Sequence, residues 1–337
     1  MPVAPQRGQP TRAKRTKPTK PTKPTKHTKP TKPTKAHTSA RLLAAMLGNF
    51  HQHTLRMRIE IEPGVRLYFD VEGAQLVPDG PTLREKPTLI LLHGGPGFDH
   101  SAFRTHFGRL ADIAQVLYVD HRGHGRSDRR PPEEWTLDTF ADDVVRLCDA
   151  LGIVKPIVLG QSFGGFVAQR YIERHPHHPS QVILSSTSPH MKQERKEAMF
   201  AKLGGPAAGE SCRRFWSDPN PATWDDYGVH CRHLYNTTPQ DPDAGARTIH
   251  NLDILFASAS GEQRTMNLLP GLANARCPVL VMVGEQDPVC PVEDARDIAA
   301  ALPPRWMQYR EFPGVGHGAW RDDADAAFAE LRRFLLE

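Results

Sequence analysis

The sequence has no long apolar runs. A membrane-spanning helix needs about 18 or more consecutive apolar residues, and no stretch of the 337-residue chain approaches that length. The overall balance of 39% hydrophobic and 24% charged residues is ordinary for a globular protein. We therefore expect no membrane span.

Cysteine is scarce, and metal-binding motifs are missing. The five cysteines are Cys148, Cys212, Cys231, Cys277 and Cys290. Their number is odd and none form a C-x-x-C pair, so we expect reduced, structural thiols. The 17 histidines include no H-E-x-x-H or comparable ligand spacing. The sequence thus predicts neither a metal site nor a cofactor.

The sequence also lacks a recognisable secretory signal. The apolar run at residues 42–47 is shorter than the roughly seven residues that a signal-peptide core requires, and it lies far from the N-terminus. Reduced cysteines and the missing signal favour a cytoplasmic location.

Acidic residues are absent from the first 56 positions, where thirteen Lys and Arg residues occur. The remaining chain carries 30 basic and 38 acidic residues, so it is net acidic. Residues 16–35 repeat Thr, Lys and Pro, a composition that blocks helix and strand formation and buries nothing. We expect 1–56 to be a disordered basic tail that binds no nucleic acid specifically, although a polybasic arm for nucleic acid or anionic membrane is the alternative.

From Met57 onward, short β-branched runs alternate with helical periodicity, which predicts a mostly parallel sheet covered by helices. Strands are expected at 58–62, 65–72, 88–92, 115–119, 156–160, 181–185, 278–283 and 306–311. Helices are expected at 137–151, 163–175, 292–302 and 322–336.

The pattern changes between the strands near 185 and 278. Pro, Gly and Trp become frequent there, and no buried strand is indicated. We predict an inserted helical cap at 190–272, between core segments 57–189 and 273–337. Segments at the carboxyl ends of parallel strands commonly form ligand sites, so this cap is expected to shape the substrate pocket.

The strand at 156–160 runs directly into GQSFGG at 160–165 and then into a helical pattern. This arrangement is typical of a nucleophile elbow with Ser162 at the turn. The flanking glycines allow a strained turn and close backbone approach, and the helix that begins at Phe163 directs its N–H groups toward a developing oxyanion. Ser162 is therefore the candidate nucleophile.

A serine hydroxyl needs a base, and in this arrangement the acid and base follow in the order Asp, His. Asp287 follows the strand at 278–283, and His317 lies in a glycine-rich loop after the last strand. They are the candidate acid and base, with Glu285 or Asp294 as alternative acids. The glycine-rich loop at 93–97 predicts an oxyanion hole formed by the N–H groups of Gly95 and Phe163.

The motifs HGGPG (93–97), DHRGHGRS (120–127), GQSFGG, GEQDPVCP (284–291) and GVGH (314–317) resemble those of the proline iminopeptidase group of α/β-hydrolases. The resemblance covers residues 57–337. It implies an α/β-hydrolase fold with an eight-stranded, mostly parallel sheet and a cap after strand 6. It further implies structural roles for Asp120 and Arg122.

Family members that remove N-terminal proline are expected to bind the free amine with cap carboxylates. Candidate substrate-binding residues of the cap are Glu194, Glu210, Trp216, Trp224 and Asp225, with Asp226 and Asp253 as further carboxylates. The family has a Trp followed by a Glu in the cap, and this sequence departs from that pattern because Trp224 is followed by Asp225.

The leading hypothesis is a serine hydrolase acting on a small-molecule or short-peptide ester or amide through an acyl-enzyme. N-terminal proline removal is one version, and a carboxylesterase-type hydrolase of a small metabolite is another. The alternative class is a non-catalytic ligand-binding relative. The sequence does not specify the oligomeric state.

Overall fold

The computed structural model describes residues 57–337, so the predicted basic tail at 1–56 lies outside the described residues. No helix in the described region combines the length and apolarity required to cross a membrane. The strands are β1 (Arg58–Glu62), β2 (Val65–Glu72), β3 (Leu76–Asp79), β4 (Thr82–Glu85), β5 (Thr88–Leu92), β6 (Gln115–Val119), β7 (Ile157–Gln161), β8 (Gln181–Ser185), β9 (Val279–Gly284) and β10 (Met307–Phe312).

Eight of these strands form one sheet in the order β1-β2-β6-β5-β7-β8-β9-β10, with β1–β2 and β2–β6 antiparallel and the remaining pairs parallel. This confirms the predicted eight-stranded, mostly parallel sheet. The central strands β5, β7 and β9 are buried at every position, as expected for strands covered on both faces.

The short hairpin β3–β4 lies outside the large sheet and was not predicted. Its residues are mostly exposed, so they show no alternation between apolar and polar positions. The Asp79-Gly80 pair at its turn is a hairpin signal that sequence reasoning missed.

Helices cover both faces of the sheet. They are α1 (Ser101–Arg104), α2 (Leu137–Leu151), α3 (Phe163–Arg174), α4 (Gln193–Gly204), α5 (Pro206–Ser217), α6 (Pro221–His230), α7 (Ala244–Arg247), α8 (Leu252–Ser260), α9 (Glu262–Thr265), α10 (Leu269–Leu272), α11 (Val292–Ala301), α12 (Ala319–Asp322) and α13 (Ala324–Leu335).

The helix predicted at 322–336 is observed as α13, which begins two residues later and is preceded by the separate short helix α12. Asp323 separates the two helices because its φ of −134° is non-helical. Its side chain accepts a hydrogen bond from the Ala326 N–H. Asp323 therefore acts as the N-cap of α13, because an aspartate that satisfies an open helix N–H favours a new helix start.

Separate apolar clusters form on the two faces of the sheet. One joins Val158 and Val281 of the sheet to α2, α3 and α11, and the other joins the opposite face of the sheet to α1, α12 and α13. The two clusters hold the sheet between layers of helices. The loops that follow the parallel strands lie at the carboxyl ends of those strands.

The chain between β8 and β9 contains α4 to α10 and no strand of the large sheet. β8 is the sixth of the eight sheet strands in chain order. We call residues 190–272 the inserted segment. It has its own apolar cluster, which includes Phe200, Phe215 and Tyr227.

Candidate active site

Ser162 lies at the turn between β7, which ends at Gln161, and α3, which begins at Phe163. Its backbone has φ 54° and ψ −115°, a conformation that non-glycine residues rarely adopt. Its N–H donates to the Ser185 carbonyl at the end of β8, at an N···O distance of 3.0 Å. Backbone strain held in place by the surrounding sheet is typical of functional sites.

Glycines make this turn possible. A Cβ atom on Gly160 would collide with the Gly164 backbone, and one on Gly164 would collide with the Leu92 carbonyl. Gly165 packs against Thr187 in the same way. Since two of these obstacles are backbone atoms that cannot rotate away, side chains are excluded at both positions.

Asp287 and His317 form a direct pair after β9 and β10. His317 Nδ1 lies 2.9 Å from Asp287 Oδ2 and 3.0 Å from Oδ1. Asp287 Oδ1 also accepts hydrogen bonds from the N–H groups of Val289 and Cys290, at 2.9 and 2.8 Å. Both side chains are buried, so the carboxylate holds the imidazole with Nδ1 as the donor and Nε2 available to accept a proton.

The alternative acids lie elsewhere. Glu285 is exposed and accepts from the Gly314 N–H. Asp294 is paired with Arg195, at an N···O distance of 2.6 Å. Neither forms a hydrogen bond with His317 in the part of the chain that the structure describes.

The Ser162 turn and the His317 loop occupy the same edge of the sheet. The Gly318 N–H donates to Ser186 Oγ at 2.9 Å, next to the Ser185 carbonyl that holds Ser162. Trp320 Nε1 donates to Gln161 Oε1 at 3.2 Å. Within residues 57–337, Ser162 and His317 form no direct hydrogen bond.

The loop at 93–97 lies against Ser162. A Cβ atom on Gly94 would come within 3.4 Å of Ser162 Cβ, and Gly95 has φ +133°, a conformation that favours glycine. The N–H groups of Gly95 and Phe163 donate to no protein acceptor among residues 57–337. They are therefore available to a ligand.

His93, at the start of this loop, forms a buried cluster with His121 and His124, which pack against Phe163. The ring centroids of His93 and His121 are 4.5 Å apart, and those of His93 and His124 are 5.3 Å apart. Burial lowers the pKa of His93 and of His121, and it lowers the pKa of His124 to about 3. The cluster is therefore neutral at neutral pH.

This cluster predicts acid-sensitive stability. The pKa of His124 is far below its ordinary value near 6.5, so the unfolded chain binds this proton first as the pH falls. The contribution of His124 to the free energy of unfolding is complete above pH 6.5 and falls by up to about 1.4 kcal/mol per pH unit below it. His124→Asn, whose amide can still donate to the Arg122 carbonyl as Nδ1 does, should have a shallower dependence between about pH 6.5 and 5 in urea unfolding.

Exposed His233 provides the matched control for this test. His233→Asn should keep the wild-type pH dependence of unfolding. Parallel curves for His124→Asn and the wild type would show that His124 does not contribute to the acid sensitivity.

The inserted segment contacts both sides of the candidate site. The Asn251 N–H donates to the Gly97 carbonyl at 2.7 Å, next to the predicted oxyanion loop. On the other side, the His317 N–H donates to the Tyr235 carbonyl at 2.6 Å, and Asn236 Nδ2 donates to the His317 carbonyl at 3.0 Å. The segment thus fixes the loops that carry Gly95 and His317.

Of the predicted cap residues, Trp224 approaches the site most directly. Its ring centroid lies 6.4 Å from that of Phe98, which contacts Gly95, and it stacks on Tyr227 at 5.9 Å. Trp216 packs on Phe215 within the inserted segment. An aromatic wall therefore extends from the loop at 93–97 into the inserted segment.

The predicted cap carboxylates are either paired with arginines or exposed. Glu210 pairs with Arg213 at 2.6 Å, and Asp226 pairs with Arg214 at 2.7 Å. The remaining candidates, Glu194, Asp225 and Asp253, are exposed.

Asp120 and Arg122 form buried polar contacts with neighbouring segments of the core. Asp120 is fully buried and accepts from His100 Nδ1 at 2.7 Å, and Arg122 is paired with Asp143 at 2.6 Å. Neither contacts Ser162 or His317 in the described structure, in keeping with the structural roles that the resemblance implies.

A group with metal-ligand composition lies at the base of the inserted segment. Donor atoms of His190, Asp294 and Asp297 lie within 4.8 Å of one another. Arg195 already contacts both carboxylates, at 2.6 and 2.7 Å, so their charge is compensated by a guanidinium. We assign no metal to this group.

The fold and the site geometry match known proteins. A family model described as the alpha/beta hydrolase fold matches residues 87–320. The chain belongs to this family.

Relatives of this α/β-hydrolase include proline iminopeptidase PfmaB of Pestalotiopsis fici, which is 28% identical over 247 residues, covering 70% of this chain and 87% of that protein. The solved proline iminopeptidase-related protein of Thermus thermophilus is 26% identical with a TM-score of 0.64, covering 83% of this chain and 95% of that one. The esterase EaEST of Exiguobacterium antarcticum has a TM-score of 0.64 over 84% of this chain and all of its own, but at 19% identity it shows the fold alone. The α/β-hydrolase described here thus resembles the proline iminopeptidases.

Sequence reasoning missed several residues that support the site of this α/β-hydrolase. Ser186 and Tyr235 hold the histidine loop, and His121 and His124 pack against Phe163. The two histidines lie inside the DHRGHGRS motif, and their spacing there is a signal from which they could have been identified. Nothing in the local sequence marks Ser186 or Tyr235.

Proposed function

We propose that this α/β-hydrolase is a serine hydrolase that cleaves small esters or amides through an acyl-enzyme. The observation that carries the proposal is the buried hydrogen bond between His317 Nδ1 and Asp287, at the sheet edge where Ser162 occupies its strained turn. A serine on a strained turn with an acid-oriented histidine is the arrangement that nucleophilic acyl transfer requires.

In the proposed mechanism, His317 Nε2 accepts the proton of Ser162 as Oγ attacks the substrate carbonyl carbon. The N–H groups of Gly95 and Phe163 stabilise the negative charge that develops on the carbonyl oxygen. The intermediate collapses as His317 gives its proton to the leaving group. Water, activated by the same histidine, then attacks the acyl-enzyme and frees the acid.

The aromatic wall favours a substrate that has an apolar or aromatic group next to the reacting carbonyl. Phe98 and Trp224 line this wall, and the His250 ring centroid lies 5.0 Å from that of Phe98. Aromatic side chains bind such groups through buried area with little loss of conformational freedom. A small ester with an apolar acyl group fits this environment.

Removal of N-terminal proline is the narrower candidate, and the likeness to the proline iminopeptidases supports it. A free amine would require an uncommitted carboxylate near the wall. Glu210 and Asp226 are paired with arginines, and Glu194, Asp225 and Asp253 are exposed, so none of these five carboxylates is both buried and uncommitted. This favours ester or amide cleavage without recognition of a free amine.

A fluorophosphonate probe and a substrate panel test the proposal together. The probe should attach once per chain, and peptide mass spectrometry should locate it on Ser162. The panel compares prolyl and alanyl arylamides with p-nitrophenyl acetate and butyrate, and we expect p-nitrophenyl butyrate to have the highest kcat/KM. Preference for prolyl arylamide would instead assign the narrower activity. No labelling and no turnover would favour a non-catalytic ligand-binding protein.

A further inference from the structure

Lys196 is a buried lysine that the proposed mechanism does not use. It lies on α4 in the inserted segment, and only 1% of its surface is exposed. Its Nζ atom lies 5.6 Å from the centroid of the Trp216 ring. No carboxylate forms an ion pair with Lys196 among residues 57–337. Because burying an ammonium is unfavourable, its position calls for an interaction that uses the charge.

The interaction is with the loop that carries the acid. Lys196 Nζ donates to the carbonyl oxygen of Val289. That carbonyl belongs to the peptide group whose N–H, on Cys290, donates to Asp287 Oδ1 at 2.8 Å. Asp287 in turn holds His317 Nδ1. One peptide group therefore connects a buried ammonium to the Asp287–His317 pair.

We infer that Lys196 is a positioning residue of the active site that acts through the Val289–Cys290 peptide. Hydrogen bonds in a chain polarise one another, so an ammonium on the carbonyl oxygen makes the N–H a stronger donor to Asp287. The same contact fixes the loop that orients the carboxylate. The inserted segment thereby contributes a charge that tunes the base as well as a wall of the pocket.

The charge also has a direction of effect. The positive charge of Lys196 lies on the same hydrogen-bonded network as the Asp287–His317 pair, and like charges repel one another. Other ionisable groups that face the Asp287–His317 pair or Lys196 contribute to the same field: Arg321, Asp322, Tyr235, Cys290, Cys212, Glu197 and Asp294. All of these are retained when Lys196 alone is replaced.

This inference rests on the proposed function, and variants at Lys196 test it. Lys196→Met keeps the length of the side chain without charge, Lys196→Gln keeps a donor without charge, and Lys196→Arg keeps both. Lys202→Met, at an exposed lysine of the same helix, is the matched control. The readouts are the pH profile of kcat/KM for p-nitrophenyl butyrate and the rate of fluorophosphonate labelling.

We expect the Met and Gln variants to shift the acidic limb of both profiles to higher pH. On that limb kcat/KM should fall about tenfold, equivalent to the loss of one hydrogen bond to a charged group. Lys196→Arg should recover most of the loss, and Lys202→Met should match the wild type. The thermal midpoint measures the separate effect on stability, because the Met variant removes a buried charge but leaves the Val289 carbonyl without its donor.

Several results would overturn the inference. Profiles of the Met and Gln variants that superimpose on the wild type, or a uniform loss at all pH values that Lys196→Arg does not recover, would assign no positioning role. Failure of both uncharged variants to fold would assign Lys196 to folding. Ser162→Ala separates the two proposals: if it retains activity, the proposed function fails, whereas an inactive Ser162→Ala beside unaffected Lys196 variants contradicts only the role of Lys196.

Discussion

Ser162→Ala is expected to lower kcat for p-nitrophenyl butyrate by at least about 10⁴-fold and to abolish fluorophosphonate labelling. Without Oγ, no acyl-enzyme can form, and only binding and the free N–H groups near the carbonyl remain. The fold should be unaffected, because Ser162 is held through its backbone N–H and carbonyl, which alanine retains. Steady-state kinetics, labelling and circular dichroism together measure the effect.

Ser188 provides the control for this experiment. It is buried two residues beyond Ser186, and its Oγ has no hydrogen-bond partner among the described residues. Ser188→Ala should therefore retain activity and labelling. Retention of activity by Ser162→Ala would show that another group performs the reaction and would refute the mechanism.

Asp287→Asn is expected to lower kcat by about 10⁴-fold with little change in KM. The N–H groups of Val289 and Cys290 both donate to Oδ1, so the carbonyl oxygen of an asparagine would take that position. Its amide NH₂ would then face His317 Nδ1 and donate to it. The histidine proton would move to Nε2, where it prevents proton transfer from Ser162.

Glu285→Gln is the matched control, two residues away on the same loop. Glu285 is exposed and bonded to the Gly314 N–H, so neutralising it should leave kcat within about twofold of the wild type. The opposite result, a large loss for Glu285→Gln and a small one for Asp287→Asn, would identify Glu285 as the acid. Kinetics on the two variants and the wild type decide between the carboxylates.

Much of the sheet could be predicted from the sequence because its strands are short, buried and separated by helices. Five of the eight predicted strands coincide with the observed ones at both ends, and the other three differ by one residue at each end. The loops that carry Ser162, Asp287 and His317 follow directly from strand ends. Local sequence therefore indicates which residues reach the sheet edge that carries the candidate site.

The support around these residues could not be predicted in the same way. Lys196 lies in the charged sequence QERKE, which resembles the solvated start of a surface helix. It is buried because Trp216 and the Val289 loop pack against that helix, and those contacts depend on tertiary structure. The pairing of Asp226 with Arg214 likewise depends on the packing of α5 against α6, whereas Glu210 pairs with Arg213 of its own helix.

The hydrogen bonds of Tyr235 and Asn251 have a consequence for redesign. These residues of the inserted segment hold the histidine loop and the loop at 93–97 through backbone bonds. A segment transplanted from another enzyme would have to reproduce both attachments before any new specificity could be expressed. Changes of substrate preference are therefore most accessible through single side chains between the two attachment points, rather than by exchange of the whole segment as a module.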